Sequence, residues 1–425
     1  MHLGDADSAG GERPANLDRR TEQAKAAKAA LEAFRRAAEL EPEDTWAWIE
    51  IARLERQDGN LASALEAADR AQAAARRSGN NQDAGIALHE RGDVLRAQGN
   101  LAPALESYQA ALAITERLAE EDPGHSGWHY DLGAIHARIA DVLFAQGDVF
   151  GALENYCSSL ETAKRLAAHD PSNREWQRLV MASHNEIGDI LAGQGNLADA
   201  LESYRSSLAI AERLAEADSG NAGWQRDLSV AQDNIGNVLH AKGDLAPALE
   251  CYRASLTTAK RLAEADPENA ERQRDLSISL NKIGDVLVQQ GDPEEACESY
   301  RASLFIRERL AEADAGNTEW QRDLSISHNK IGDALFDQGD VAAALESYWA
   351  SHLTFERLAE ADGGNPGSQR DLAWSHWRLA EIGSQSRVHW QAVVRILKKL
   401  DADGQLSPAD QEWLPTAEQN LAASD

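Results

Sequence analysis

The chain has 425 residues, 43% of them hydrophobic, and carries 71 acidic against 42 basic residues, for a formal net charge of −29. This balance argues against nucleic acid and anionic membranes as partners, because both attract proteins through a basic surface. It favours a peptide or protein partner with a basic patch, although an acidic surface can also serve only to keep a protein soluble. No run of about 18 apolar residues occurs, so no membrane span is predicted.

The first 20 residues lack both hydrophobic periodicity and the apolar centre of a secretory signal. We therefore expect residues 1–20 to be a disordered N-terminal tail. Helical spacing of apolar residues begins near Thr21 and ends at Pro42, which predicts an N-terminal capping helix over residues 21–42. The three cysteines have no CxxC spacing and lie in helical patterns, which favours a reducing, cytoplasmic location.

A repeat with a period of 48 residues follows. The tripeptide Ile331-Gly332-Asp333 recurs with small changes at each step, followed by a turn glycine and a tyrosine. The tyrosines are Tyr108, Tyr156, Tyr204, Tyr252, Tyr300 and Tyr348. A fixed period of this size is typical of a solenoid. We assign residues 43–400 to a repeat array and residues 401–425 to a C-terminal capping helix with a start signal at Ser407-Pro408.

Each repeat predicts two antiparallel helices, named here helix A and helix B. In the copy that begins at Asn173, the apolar positions of helix A recur in steps of three and four residues. Gly195 then occupies the turn, where a left-handed residue is wanted, and Asn196 stands at the N-cap of helix B.

These units resemble tetratricopeptide repeats. The matching residues of one unit are Pro171, Gly188, Gly195, Ala200, Leu201 and Tyr204. The resemblance covers about residues 25–400 and departs from the family in length, since tetratricopeptide units have about 34 residues. It implies an all-α, right-handed superhelical solenoid of antiparallel helix pairs with capping helices at both ends. It also implies that helix A lines a concave face on which peptides bind.

One stripe of helix A faces away from the apolar positions and repeats as three ladders. The acidic ladder contains Asp93, Asp141, Asp189, Asn237, Asp285, Asp333 and Glu381. The amide ladder contains Asn185, Asp233, Asn281 and Asn329. The basic ladder contains Arg178, Arg226, Arg274, Arg322 and Arg370. On the concave face that the resemblance implies, the carboxylates would take Lys or Arg side chains and the amides would bind a peptide backbone.

The alternative is that the ladder residues pair within the protein. Pairs three residues apart on one helix are Lys282–Asp285, Lys330–Asp333 and Arg138–Asp141. The basic ladder could also pair with acidic residues of a neighbouring helix B. A peptide-binding groove and internal pairing can both be present in the protein, at different repeats.

Aromatic residues extend the stripe near its C-terminal end. Trp374 and Trp377 lie on the same face as Phe336, Arg322 and Arg370, which predicts an anchor pocket, because aromatic and Arg side chains dominate interface energetics. The alternative is that the two tryptophans pack under the C-terminal capping helix.

Catalytic signatures such as GxSxG, HExxH, a P-loop or GxGxxG do not occur. His125, His129 and His136 do not have convergent metal-ligand spacing, so we predict neither a metal nor a cofactor. The predicted function is a non-catalytic scaffold that binds a peptide or protein on its concave face. The alternatives are a regulatory or sensor subunit, the repeat tail of a larger signalling complex and, more remotely, an enzyme.

Overall fold

The regular elements are helices throughout the computed structural model, which describes residues 15–406 and 410–424. The helices are α1 (Ala15–Leu40), α2 (Thr45–Gln57), α3 (Leu61–Ser78), α4 (Asn81–Ala97), α5 (Leu101–Glu121), α6 (Ser126–Ala145), α7 (Val149–His169), α8 (Arg174–Gly193), α9 (Leu197–Ala217), α10 (Ala222–Ala241), α11 (Leu245–Ala265), α12 (Ala270–Gln290), α13 (Pro293–Ala313), α14 (Thr318–Asp337), α15 (Val341–Ala361), α16 (Pro366–Glu381), α17 (Ser386–Ala402) and α18 (Trp413–Ala423). In the described part of the chain, none of them is long and apolar enough to cross a membrane.

The contacts divide the chain into two compact units, with the boundary between Ala231 and Gln232 inside α10. In each unit, successive helices pack against one another as antiparallel pairs joined by short turns. Even-numbered helices from α2 to α16 are helix A of their repeats, and the following odd-numbered helices are helix B. The predicted all-α, tetratricopeptide-like fold is therefore confirmed.

The chain ends differ in detail from the prediction. Helix α1 begins at Ala15, before the predicted start near Thr21, while residues 1–14 of the predicted tail lie outside the described residues. Residues 401–402 continue α17, so the C-terminal helix α18 is shorter than predicted and begins only at Trp413. The predicted helix start at Ser407-Pro408 lies outside the described residues.

Glycines with a left-handed backbone end helix A in each repeat. Gly195 has φ 76°, a conformation that costs little only when no Cβ is present. The next residue, Asn196, precedes α9 as predicted, but its amide donates a hydrogen bond to Asp199 instead of acting as the expected cap. Asp148 does cap its helix, by accepting from the Gly151 N–H at 2.9 Å.

The centre of six hairpins, α4–α5 to α14–α15, is a close approach of the helix B tyrosine to helix A. A Cβ placed on Gly188 would lie 2.6 Å from Cε1 of Tyr204, well inside van der Waals contact. The tyrosine ring therefore uses the space that a side chain would fill, and the ring is buried. In one hairpin the glycine is replaced by Ala140, which is accommodated beside Tyr156.

Candidate functional site

The acidic ladder is tied to its own hairpins. In six repeats the tyrosine hydroxyl of helix B donates a hydrogen bond to the ladder residue 15 positions earlier. The distances are 2.6 Å for Tyr108 to Asp93, 2.6 Å for Tyr156 to Asp141, 2.5 Å for Tyr204 to Asp189, 2.9 Å for Tyr252 to Asn237, 2.7 Å for Tyr300 to Asp285 and 2.6 Å for Tyr348 to Asp333. Burial and then the adjacent carboxylate raise the pKa of Tyr348 far above its usual value, so the hydroxyl stays a donor.

Several ladder carboxylates are also neutralised by a base from the next helix A. Three of these pairs join residues 45 positions apart: Arg138 to Asp93 at 3.6 Å, Lys330 to Asp285 at 2.5 Å and Arg378 to Asp333 at 3.0 Å. Adjacent helices A pack side by side, which brings the base within reach of the preceding repeat. The residues of the acidic ladder are thus largely internal contacts.

Two of the three predicted pairings within a helix are replaced by pairs between helices. Lys282 contacts Asp233 at 3.0 Å, and Lys330 contacts Asp285, rather than the carboxylate three residues further along the same helix. The third predicted pair, Arg138–Asp141, is present at 3.1 Å.

The basic ladder pairs with helix A of the following repeat, not with helix B. The pairs join residues 49 positions apart and are Arg178–Asp227 at 3.0 Å, Arg274–Asp323 at 2.6 Å and Arg322–Asp371 at 3.0 Å. Arg370 pairs with Asp410 at 2.7 Å, just before the C-terminal helix. Such partly exposed pairs typically contribute less than about 1 kcal/mol each, and they occupy the arginines that a groove rim would need.

Part of the amide ladder is inaccessible, which corrects the prediction of an amide floor. Asn281 and Asn329 are only 5% and 6% exposed. The Asn281 amide donates to Ser303 at 2.9 Å and accepts from Arg307 at 3.1 Å, so it points at helix B rather than at solvent. The reason is a polar core in the C-terminal unit that the repeat pattern conceals.

Arg307 is the centre of that polar core and was missed by sequence reasoning. It is 4% exposed and donates to the Asp323 carbonyl at 2.6 Å and to the hydroxyls of Ser277 and Ser327, each at 3.1 Å. Burial lowers the pKa of its guanidinium. The available signal was a charged residue at a frame position where the three preceding repeats have alanine and the following one has phenylalanine.

The anchor pocket predicted near Trp374 and Trp377 is wrong, because the C-terminal helix fills it. The ring of Trp374 lies 5.1 Å from that of Trp413, and Trp377 packs edge-on against Trp390 at 4.8 Å. The guanidinium of Arg370 lies over Trp413 at 5.3 Å. Both tryptophans therefore stabilise the cap, which is the alternative considered above.

A cleft in the N-terminal unit is a feature that the ladders did not reveal. Its volume is about 520 Å³, and helices α2, α4, α6 and α8 supply most of its walls. Aromatic side chains on its walls are Trp46, Trp128 and Tyr130, and polar or charged ones are Arg53, Gln82, His89, Asp131, Arg138 and Glu186. Trp46 and Tyr130 are each 48% exposed, so aromatic surface is open to a partner.

The charges of this cleft are unevenly balanced. Arg53 is paired with Glu50 and Glu90, at 2.6 and 3.1 Å. Burial, and then the nearby Asp141, raise the pKa of Glu186 to about 7. Burial also raises the pKa of Asp131. Among the described residues, no Lys or Arg lies within ion-pair distance of either carboxylate, so the cleft has unneutralised acidic groups.

The histidines of the first long repeat have separate structural roles. His125 caps α6 by accepting from the Trp128 N–H at 3.3 Å. His129 contacts the Pro123 carbonyl at 2.9 Å, and His136 contacts the Asn155 side chain at 3.0 Å. One ring nitrogen of each histidine contacts a different protein group, so these three contacts do not converge.

Stacked antiparallel hairpins with a glycine–tyrosine contact define the class: an α-helical repeat protein. Two tetratricopeptide repeat models match the sequence, one over residues 43–117 and 179–261 and the other over residues 278–308. Over these residues the chain consists of tetratricopeptide repeats. No curated protein matches it in sequence.

Solved structures with a similar fold cover most of the chain. The apo form of RapI is 12% identical, covers 91% of this chain and 99% of its own, and has a TM-score of 0.57. The apo form of the quorum sensor NprR from B. thuringiensis is 12% identical, covers 88% of this chain and 99% of its own, and has a TM-score of 0.50. BtubC from P. vanneervenii is 19% identical over 62% of this chain and 93% of its own, with a TM-score of 0.48. At these identities the similarity concerns the fold alone.

Proposed function

We propose that the chain is a non-catalytic interaction scaffold whose helix A surface binds a peptide or protein segment that carries basic side chains. The observation that carries the proposal is the cleft in the N-terminal unit, an open site with exposed aromatic rings and unneutralised carboxylates. Aromatic surface supplies contact area at low entropic cost, while a net charge of −29 attracts cationic partners from solution.

The ladders contribute selectively to this proposed surface. In the N-terminal unit, Asp189 is exposed and remains a candidate for partner contacts, whereas Arg178 is exposed but paired with Asp227. In the C-terminal unit, Asn237 and Phe336 are exposed and also remain candidates. In tetratricopeptide repeats helix A lines a concave face, and we propose the corresponding face of this chain as the binding surface.

The compartment that we propose is the cytoplasm. Cys157 and Cys297 carry free thiols, which fits a reducing environment.

The test is a fluorescence anisotropy titration of the full chain with labelled peptide pools that are basic, neutral or acidic. We expect only the basic pool to bind, with an affinity that falls between about 0.05 M and about 0.5 M salt, because screening weakens exposed charge contacts. Equal binding of the three pools, or binding that salt does not change, would contradict the proposal.

A further inference from the structure

The pairs between successive helices A follow two rules in this chain. An arginine of the basic ladder meets an aspartate 49 residues later, as in Arg178–Asp227 at 3.0 Å and Arg274–Asp323 at 2.6 Å. Three ladder aspartates meet a base 45 residues later, as in Arg378–Asp333 at 3.0 Å, whereas Asp189 has Asn234 at that position. Each rule places one cation against one carboxylate of the neighbouring repeat.

Both rules are broken at the N-terminal cleft. The carboxylate position of the first rule is occupied by Asp131, but the residue 49 positions earlier is Gln82 instead of arginine. For Asp141, the residue 45 positions later is Glu186 instead of lysine or arginine. In the following repeat, 48 residues after Gln82, Tyr130 stands where the basic ladder has arginine. The cations expected opposite Asp131 and Asp141 are therefore absent, and the second of them is replaced by an acid, Glu186.

The two broken pairs converge in one space. Asp131, Gln82 and Glu186 all line the same cleft of about 520 Å³. Arg138 lies nearby, but it already contacts Asp93 at 3.6 Å and Asp141 at 3.1 Å. Asp131 and Glu186 thus line a cavity without an ion-pair partner among the described residues, whereas Asp141 lies outside the lining and is paired with Arg138 and, at 3.9 Å, with Arg96.

The walls of the cleft suit the stem of a long cationic side chain. Tyr130 offers a half-exposed aromatic ring, and Trp46 and Trp128 add aromatic surface, with Arg53 over one face of Trp46 and His125 stacked on Trp128; aromatic surface attracts both methylene groups and cations. His89 lines the same cleft, and its Nε2 is buried with no hydrogen-bond partner in the described part of the chain. Burial keeps the pKa of His89 low, so this neutral ring adds no competing positive charge.

We propose that this cleft binds basic side chains of an extended partner segment, whose charged ends occupy the two positions where the repeat lacks its own cations. One position lies beside Asp131, and the other lies beside Asp141 and Glu186. The inference rests on the proposed function and specifies where on the chain, and through which chemistry, the basic partner is recognised.

The experiment introduces the two missing cations into the chain by substitution. Gln82→Arg restores the ladder arginine opposite Asp131, and Glu186→Lys restores the base opposite Asp141. Matched controls make the same chemical changes at exposed positions of helix B, Gln109→Arg and Glu202→Lys. The control pair keeps the total charge equal to that of the repaired pair, so long-range attraction is matched.

The probes are fluorescein-labelled peptides of alternating lysine and glycine, alternating arginine and glycine, and alternating norleucine and glycine. We expect a basic probe to bind the wild-type chain more tightly than the norleucine probe. Each repair should weaken binding of that basic probe by about tenfold or more, and each control should change it by less than about twofold. Without peptide, the repaired chains should melt at the same temperature as the wild type or higher, since an internal pair replaces an unneutralised carboxylate.

Repaired variants that bind like their controls would overturn the inference. In that case, salt-sensitive preference of the wild type for basic peptides would still uphold the proposed function. If the wild-type chain does not distinguish any basic probe or pool from its uncharged counterpart, both fail. A repaired variant that melts lower than its control would show that the cation does not fit, which also contradicts the inference.

Discussion

The hydroxyl of Tyr348 lies 2.6 Å from a carboxylate oxygen of Asp333, and the other oxygen accepts from Arg378 at 3.0 Å. Tyr348 belongs to helix B of the same hairpin, whereas Arg378 belongs to helix A of the next. One carboxylate therefore joins two helices of its own repeat and one of the following repeat. Asp285 joins the same three helix positions, with Tyr300 and Lys330 both donating to its Oδ1.

Removing the tyrosine hydroxyl tests this connection. We expect Tyr348→Phe to lower the free energy of unfolding by about 1.5–3 kcal/mol, because a hydrogen bond to a charged acceptor is lost inside the hairpin. Tyr130→Phe is the control, since Tyr130 is about half exposed and should change stability by less than about 0.5 kcal/mol. Urea unfolding followed by circular dichroism measures both. Equal effects of the two substitutions would show that the buried hydrogen bond contributes nothing specific.

The glycine beside the tyrosine makes a second prediction. A Cβ at position 332 would lie 2.6 Å from Cε1 of Tyr348, so Gly332→Ala should destabilise the chain by about 1–3 kcal/mol through overpacking. Gly193, near the end of α8, has no atom within 4 Å of the corresponding point. There the same substitution should stabilise by about 0.5–1 kcal/mol, because alanine favours the helix. Thermal unfolding of the two variants should therefore shift in opposite directions, and a shared direction would contradict the packing argument.

The hairpin contacts could be read from the sequence in part. Tyr348 and Asp333 each keep the 48-residue frame, so their proximity could have been predicted from their shared period. The second partner of the carboxylate could not, because the reach of Lys330 to Asp285 depends on the distance between neighbouring helices A. The ladder of exposed groups predicted from periodicity is thus mostly a ladder of internal pairs.

The cleft illustrates the opposite case. Its distinctive residues break the frame: Tyr130 replaces a ladder arginine, and Glu186 replaces a base. The repeated positions predict the fold correctly. They do not point to these residues, because a single exception carries no periodic signal. Whether an exception removes a cation from a carboxylate depends on the contacts between neighbouring helices A, which the sequence alone does not provide.

Three histidines near the C-terminal end of the chain predict sensitivity to acid. Nδ1 of His376 lies 2.8 Å from Nδ1 of His389, and His352 contacts the Ser375 hydroxyl at 2.9 Å. Burial, and then the neighbouring histidines, lower the pKa of His352 to about 4 and that of His376 to about 3, with Arg395 also acting on His376. Burial also lowers the pKa of His389.

Because these pKa values lie below the ordinary value of 6.5, the unfolded chain binds more protons than the folded chain as the pH falls below 6.5. The stability contributed by the neutral rings is complete above pH 6.5 and is lost as the pH falls toward 4 and then 3. We expect His376→Gln to reduce this loss by about 1–3 kcal/mol between pH 7 and pH 4. The exposed His169→Gln is the control. Thermal unfolding midpoints measured between pH 7 and pH 4 check this expectation. If the midpoints of His376→Gln and wild type fall in parallel, the three histidines do not cause the sensitivity to acid.

Glu186 predicts a pH dependence of opposite sign. Its pKa rises from the ordinary 4.5 to about 7 through burial and the nearby Asp141 and Asp189, with Arg138 opposing the change. Between these two pH values the folded chain keeps a proton that the unfolded chain has released, so the free energy of unfolding decreases as the pH rises from 4.5 to 7 and stays lower above 7. Glu186→Gln removes this penalty.

At pH 8 we therefore expect Glu186→Gln to be more stable than the wild type by about 1–2 kcal/mol, a value reduced for solvent screening of a partly exposed side chain, and at pH 4.5 the two should be equal. Glu202→Gln, on the exposed face of α9, should follow the wild type at both pH values. Urea unfolding at the two pH values measures the difference.

A bound cation would favour the ionised carboxylate of Glu186. The affinity of a basic peptide for the wild type should therefore increase as the pH rises through 7, and that increase should be smaller in Glu186→Gln. If the affinity of the wild type for the peptide does not change across this pH range, then Glu186 does not contribute to recognition of the partner.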